Sequence, residues 1–561
     1  MKLSYIALCT LAAFSTAACS DEPHGVSTKH PVGSDTPSGP SFGEDDDVTS
    51  PTPAFQLLSR KVAVNTSKTY QEMEGFAASD CWLPNQIGQY WTSNRFDIAT
   101  LLFSQNISAD GSPNGIGLSM WRVNLGGGSA QQGDDSNIAA NNRAESYFWN
   151  GAYNWNNCVG QRYFMEQAKN MGCESFVLFS NSPLVQYTVN GMAYSGSGAD
   201  SNLKDDSYTS YAEYMAEVAK HFKEAGYNIS HISPVNEPQF NWGVEESGMA
   251  SQEGSGWKNE QIAKLAKELD KSLTDRDLDT RILLAEAASW TDLYEGNASD
   301  RSNAIEAFYN PSSKSYIGDL KHTDKLICGH SYWTEGTWTG MRSVRAKVNS
   351  AASARGLKVY QTEWSMLGNA PSELLPESAG SNTDPYEKAT EFNIAQYMSR
   401  VIHNDITVAN CSSWSYWTAM SVERYGQKNR FELIKTTPVG GEYSDDFKSG
   451  GTVTATPNLW VLGNYSLFVR PGYKRVDLSL DETKDFFGSA YIAPDNSRLV
   501  VVLTNYDTEK GVTVDMPNPE GSKAVFTYTT TAEKKLTQAR FSLQDQVFID
   551  PASVTTIVYY F

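Results

Sequence analysis

Between Glu74 and about residue 470 the hydrophobic period of this chain switches repeatedly between two and about 3.6 residues, and few folds accept that pattern. Strand-like runs fall at 74–82, 116–125, 174–180, 229–235, 281–288, 325–330, 357–362 and 406–417, with helical segments between most of them. The clearest helix is 207–225. Tyr211, Met215, Val218, Ala219 and Phe222 recur on one of its faces, and Gly226 stops it. Eight strands alternating with helices imply a parallel α/β sheet closed as a (β/α)8 TIM barrel. After about Arg475 the pattern becomes short alternating strands at 498–505, 511–516, 524–530 and 553–560, which reads as an attached all-β sandwich side domain. The segment 55–69 also alternates and is expected to add strands to that sandwich.

The N-terminus stands apart. Lys2, an apolar stretch from Ile6 to Phe14 and small residues running into Cys19 read as a targeting segment over 1–19, too short to span a bilayer. Thr16-Ala17-Ala18-Cys19 is similar to the lipobox of bacterial lipoproteins, which implies that Cys19 carries lipid and anchors the chain to a membrane. Ser20-Asp21-Glu22 resembles the acidic signal that sends some lipoproteins outward, so the expected location is the bacterial outer membrane, exposed at the cell surface. Residues 20–53 offer almost nothing to bury and read as a flexible tether. The expected organisation continues with N-terminal strands over 54–73, the barrel over 74–470 and the sandwich over 471–561.

A net charge of −20 over 561 residues argues against nucleic acid as a partner and suits a neutral substrate in solution. Fourteen Trp and 29 Tyr supply flat rings on which sugars stack, although roughly two-thirds of these rings are expected in the core. Without Cys9 and Cys19 the cysteines are Cys81, Cys158, Cys173, Cys328 and Cys411, which allow at most two disulfides and form no C-x-x-C motif. Cys173, Cys328 and Cys411 lie in or beside apolar runs and read as small core residues. Gly126-Gly127-Gly128-Ser129 follows a strand, but neither G-x-G-x-x-G nor a P-loop lysine follows, so it reads as a loop at a cleft. The seven histidines lack zinc spacing and no H-E-x-x-H occurs, so no metal or cofactor is expected. A monomer is expected.

Two short motifs, Asn236-Glu237-Pro238 and Thr362-Glu363-Trp364-Ser365, each close a run of β-forming residues. They put glutamates at the ends of the fourth and seventh strands, on the face where barrel enzymes gather their chemistry. Two carboxyl groups about 5–5.5 Å apart can divide the chemistry of glycoside cleavage between them, one protonating a leaving glycosidic oxygen while the other attacks the sugar. His330 and Tyr332 end the sixth strand, Arg122 sits late in the second where it can reach a carboxylate, and Trp414 and Trp417 end the eighth, where they could floor a sugar site. Asn236 is placed to bond a sugar 2-hydroxyl.

With these motifs, and with Leu462-Gly463-Asn464-Tyr465-Ser466-Leu467-Phe468-Val469-Arg470-Pro471-Gly472 resembling the passage from barrel to side sandwich, the chain resembles glycoside hydrolase family 30 over roughly 55–561. The resemblance implies Glu237 as general acid/base, Glu363 as nucleophile, Tyr332 as the residue orienting it, and hydrolysis with retained configuration. Pro238-Gln239-Phe240-Asn241-Trp242 and Ser251-Gln252-Glu253-Gly254 resemble the loop of the endo-β-1,6-galactanase branch. That implies a β-1,6-linked galactan substrate, with Trp242 and Glu253 lining the site. The alternatives are an endo-β-1,6-glucanase or another activity of the family, and a surface glycan-binding lipoprotein without catalysis. Intact carboxylates in both motifs favour the enzyme.

Overall fold

The computed structural model describes residue 45 and residues 48–196, 200–375 and 385–561. The targeting segment, Cys19 and most of the expected tether lie outside the described residues. The end of the tether is docked: Asp45 accepts from Ser542 Oγ and Leu543 N, and Ser50 Oγ accepts from Ser542 N. The Asp45 carboxylate and the Ser50 hydroxyl thus satisfy donors of the β domain at Ser542 and Leu543, where free chain up to residue 53 was expected.

The strands run β1 Gln56–Glu72, β2 Gly75–Ala78, β3 Met120–Asn124, β4 Ser175–Phe179, β5 Ile229–Ser233, β6 Arg281–Ile282, β7 Leu326–His330, β8 Lys358–Glu363 and β9 Cys411–Tyr416. All pairings among β2 to β9 are parallel, in the orders β3-β4-β5-β6 and β2-β9-β8-β7. Bridges Ser79↔Arg122, Ile282↔Thr323 and Ala287↔Gly329 join the two sets, so the sheet curls into an α/β barrel. Alternation along each strand sorts the side chains. Ala77, Met120, Val177, Leu283, Cys328 and Tyr360 fill the interior, while Phe76, Trp121, Phe176, Leu178 and Ile327 face the helices outside. The helix Tyr208–Glu224 buries the expected face, and Gly226 at φ +81 turns the chain out of it.

Two strand expectations change. The 281–288 run forms a regular ladder only over Arg281–Ile282, because Glu286 adopts a left-handed backbone (φ +48). Its neighbours still pair singly: Leu283 N with Ile232 O, Cys328 N with Leu284 O and His330 N with Ala287 O. The last run, 406–417, is split, because Ile406 belongs to the helix Glu391–Thr407 and Asn410 (φ +61) makes the turn into β9.

The β domain holds β10 Lys474–Leu480, β11 Phe486–Ile492, β12 Arg498–Asn505, β13 Lys510–Asp515, β14 Ala524–Thr530, β15 Thr537–Phe541, β16 Phe548–Ile549 and β17 Ser553–Tyr560. β1 belongs to it, and in two ways. Its first residues pair in parallel with β13 and its later ones antiparallel with β10, so one strand crosses from one layer to the other. Leu499, Val501 and Leu503 of β12 face this domain's own core with Val512 and Ile549; Val500 and Val502 face the core shared with the barrel. That double burial makes Leu499–Leu503 of β12 an unbroken apolar run, where alternation was expected. Asn464, in the helix Pro457–Ser466, donates to Tyr528 O and Thr556 Oγ1 and fixes the junction.

Candidate active site

Glu363 reaches the barrel mouth through a break in strand register. Gln361 pairs with Gly329 and Glu363 with His330, so Thr362 is an extra residue on β8 and its bulge turns Glu363 to the same side as His330. Glu237 follows β5 at φ +42, its N–H donating to Glu286 O at 2.9 Å. A left-handed backbone costs a non-glycine residue about 1–3 kcal/mol, and Glu237 and Glu286 adopt it side by side.

These turns bring five buried charged groups together. Arg122 Nη1 bonds Glu363 Oε1 tightly, and Nη2 lies 3.4 Å from Glu286 and 3.3 Å from Asn236 Oδ1. Its plane is fixed over the Phe179 ring, with Cζ 3.6 Å from the centroid. His330 Nδ1 lies 3.0 Å from Glu237 and 3.5 Å from Glu363, and its Nε2 lies 3.2 Å from Glu286. Tyr332 OH donates to Glu363 Oε2 at 3.3 Å. One oxygen of Glu237 and one of Glu363 lie within 4.8 Å of each other.

The protonation states follow from the neighbours. Burial alone would lift Glu286, but Arg122 beside it and the bond from His330 hold its carboxyl down at about 2. Burial alone would depress His330; the charge of Glu363 and the bonds to Glu237 and Glu286 push it up to about 10, so the ring is an imidazolium donating through both nitrogens at neutral pH. Glu363 is pushed up by burial and by Glu237 and Glu286, against the opposing pull of His330 and Arg122.

Of the residues singled out from the sequence, Glu237, Glu363, Asn236, Arg122, His330 and Tyr332 meet here. Asn236, Glu237, Tyr332, Trp242, Trp417 and Glu363 line a cleft of about 670 Å³. Trp242 also braces Glu237, its Nε1 donating to Glu237 O at 3.1 Å. Two expectations are corrected. Glu253 is fully buried and does not line the cleft; it accepts from Gly127 N, Ser129 N and Ser129 Oγ, and so clamps the Gly-rich loop to the loop after β5. Burial lifts that carboxyl to about 7 against those donors. Trp414 is likewise fully buried, its Nε1 donating to Asp405 at 2.9 Å, so it offers no face to a sugar. Glu286 was not anticipated. Its signal was a lone carboxylate inside an apolar run, held by Ser233 Oγ and Thr362 Oγ1 at 2.5 Å each.

A carboxylate pair braced by Arg, His and Tyr at the mouth of an α/β barrel is the arrangement of a glycosidase. The model of "O-Glycosyl hydrolase family 30" matches residues 59–430, and the chain belongs to that family. An endo-β-1,6-galactanase of Hypocrea rufa is 24% identical over 489 residues, 83% of this chain and 86% of that protein. The crystal structure of a conserved exported protein from Bacteroides fragilis superposes with TM-score 0.80 at 28% identity, covering 89% of this chain and all of that one. The catalytic domain of the family 30 xylanase C from Talaromyces cellulolyticus has TM-score 0.60 at 18% identity, with 89% and 100% covered.

The raised His330 value has a measurable consequence. A folded-state value of about 10, above an unfolded value of about 6.5, stabilises the fold fully below pH ~6.5, and that contribution fades as pH rises toward 10. The melting-temperature gap between wild type and His330→Gln should therefore narrow steadily from pH 6 to pH 10. A constant gap would assign His330 an ordinary pKa.

Proposed function

We propose that the protein is a retaining endo-β-1,6-galactanase on a (β/α)8 TIM barrel, acting on the galactan side chains of arabinogalactan. The observation that carries the mechanism is the approach of Glu237 and Glu363 to within 4.8 Å, too close to leave room for a water between carboxylate and sugar, as inversion needs. Glu363, aligned by Arg122 and Tyr332, attacks the anomeric carbon and forms an ester, while Glu237 transfers its proton to the departing O6. Water then enters, gives its proton back to Glu237 and releases the sugar with its configuration retained.

The charge count suits this cycle. Three carboxylates face two buried cations, Arg122 and His330, so one proton on Glu237 makes the group neutral before attack. Asn236 accepts from Arg122 through Oδ1, and its Nδ2 can donate to the 2-hydroxyl. The substrate reading rests on the galactanase-like stretches 238–242 and 251–254, with the 24% identical galactanase as support.

Glu363→Gln should lower kcat by on the order of a thousandfold or more with little change in Tm. In Glu237→Ala, an aryl galactoside with a good leaving group should still glycosylate Glu363, and azide should restore turnover with β-galactosyl azide as product. An α-azide would show inversion.

Galactose differs from glucose in an axial 4-hydroxyl, and a site that bonds it penalises the epimer by leaving a buried polar group unpaired. The wild type should release β-1,6-galacto-oligosaccharides from debranched arabinogalactan and little from β-1,6-glucan. Faster cleavage of the glucan would overturn the substrate and leave the two-glutamate mechanism standing.

The lipobox-like residues 16–19 support a further proposal, a lipid anchor on Cys19 at the outer surface of a bacterial cell. The native protein should partition into detergent, and Cys19→Ser should release it with its hydrolysis rate unchanged. Wild type recovered wholly in the aqueous phase would refute the anchor.

A further inference from the structure

We propose that the Trp333 indole is the platform on which the first sugar of the departing chain stacks, the principal contact on the leaving-group side of the cleft. The inference rests on the assignment of Glu237 as acid and Glu363 as nucleophile. Trp333 is 50% exposed, whereas its neighbours Ser331, Tyr332 and Thr334 are buried, and it lines the same cleft as the two glutamates. An indole half in water at the mouth of a catalytic cleft leaves much apolar surface uncovered, and burying that surface favours a partner.

The ring is held ready. Its backbone is left-handed (φ +58), a conformation that costs a bulky residue about 1–3 kcal/mol and persists where the surroundings enforce it. Phe240 meets it edge to face at 5.9 Å, and Tyr332 lies tilted against it at 5.4 Å. Gly368 leaves the space the indole occupies, since a β-carbon there would come within 3.0 Å of Trp333 Cδ1.

Placement fixes which sugar it meets. Phe240 lies three residues after Glu237, with its N–H donating to Glu237 O at 3.1 Å, so the Phe240–Trp333 pair stands on the acid's side of the site. Glu237 protonates the departing oxygen. The sugar bearing that oxygen is therefore the one beside the acid, and a β-linked pyranose offers a face of axial C–H groups to an indole.

The test separates the two sides of the scissile bond. A β-1,6-galacto-oligosaccharide needs both sides of the cleft, whereas β-galactosyl fluoride has a one-atom leaving group that needs neither platform nor proton. Trp333→Ala should lower kcat/KM for the oligosaccharide about tenfold to a hundredfold, as loss of a central aromatic anchor does. It should leave the fluoride within twofold, and Trp333→Phe should recover most of the loss. Trp333→Asn should give the same loss without lowering Tm, because Asn tolerates the left-handed backbone. Equal losses on both substrates, or no loss on either, would overturn the proposal. If the wild type acts on another β-glycosyl fluoride and its oligosaccharide instead, the galactan reading fails, and the same ratio measured with that pair still decides the role of Trp333.

Discussion

Three carboxylates share the mouth of this barrel, and two buried cations make that possible. Like charges about 4 Å apart at an effective dielectric constant near 20 repel by about 4 kcal/mol, so Glu237, Glu286 and Glu363 would not ionise together unaided. Arg122 spans Glu363 and Glu286, and His330 touches all three. Removing either cation would strand a buried charge, the costly way to break such a network. The Phe179 ring under Arg122 and the Ser233 and Thr362 hydroxyls on Glu286 keep the arrangement from relaxing.

The same demand explains where the backbone departs from ideality. Glu237, Trp242, Glu286 and Trp333, all around the cleft, have left-handed φ values, and β8 gains its extra residue at Thr362, next to the proposed nucleophile. Regular strands would send alternate side chains outward. The irregularities spend local stability to converge groups that strict alternation would separate.

Most of the barrel was legible because each strand carries an apolar outward face, and six of the eight runs lie within a few residues of their strands. β6 was legible as a run but not as a short ladder, since nothing in Leu283–Ala288 announces the turn at Glu286. Glu237, Glu363, Arg122, His330 and Tyr332 were legible because each is polar at the end of an apolar run. Glu286 escaped because a single carboxylate in such a run looks like an ordinary surface residue until its partners arrive from β5 and β8. Glu253 and Trp414 misled for the opposite reason. Their partners are backbone N–H groups and a helix carboxylate, Asp405, which residue types alone do not reveal.

β1 precedes the entire barrel, yet its partners β10 and β13 come after it. At synthesis rates of about 5–20 residues per second, it waits roughly 20–90 seconds for them. Through that interval a 17-residue strand would have both edges open, and its exposed run from Asn65 to Tyr70, with Asn65, Ser67 and Lys68, makes it poorly suited to pairing with another chain. The order of translation therefore makes the C-terminus the closing piece of the β domain. A protein missing its last strands would still carry Arg122, Glu237, Glu286, His330 and Glu363 together with an open sheet edge.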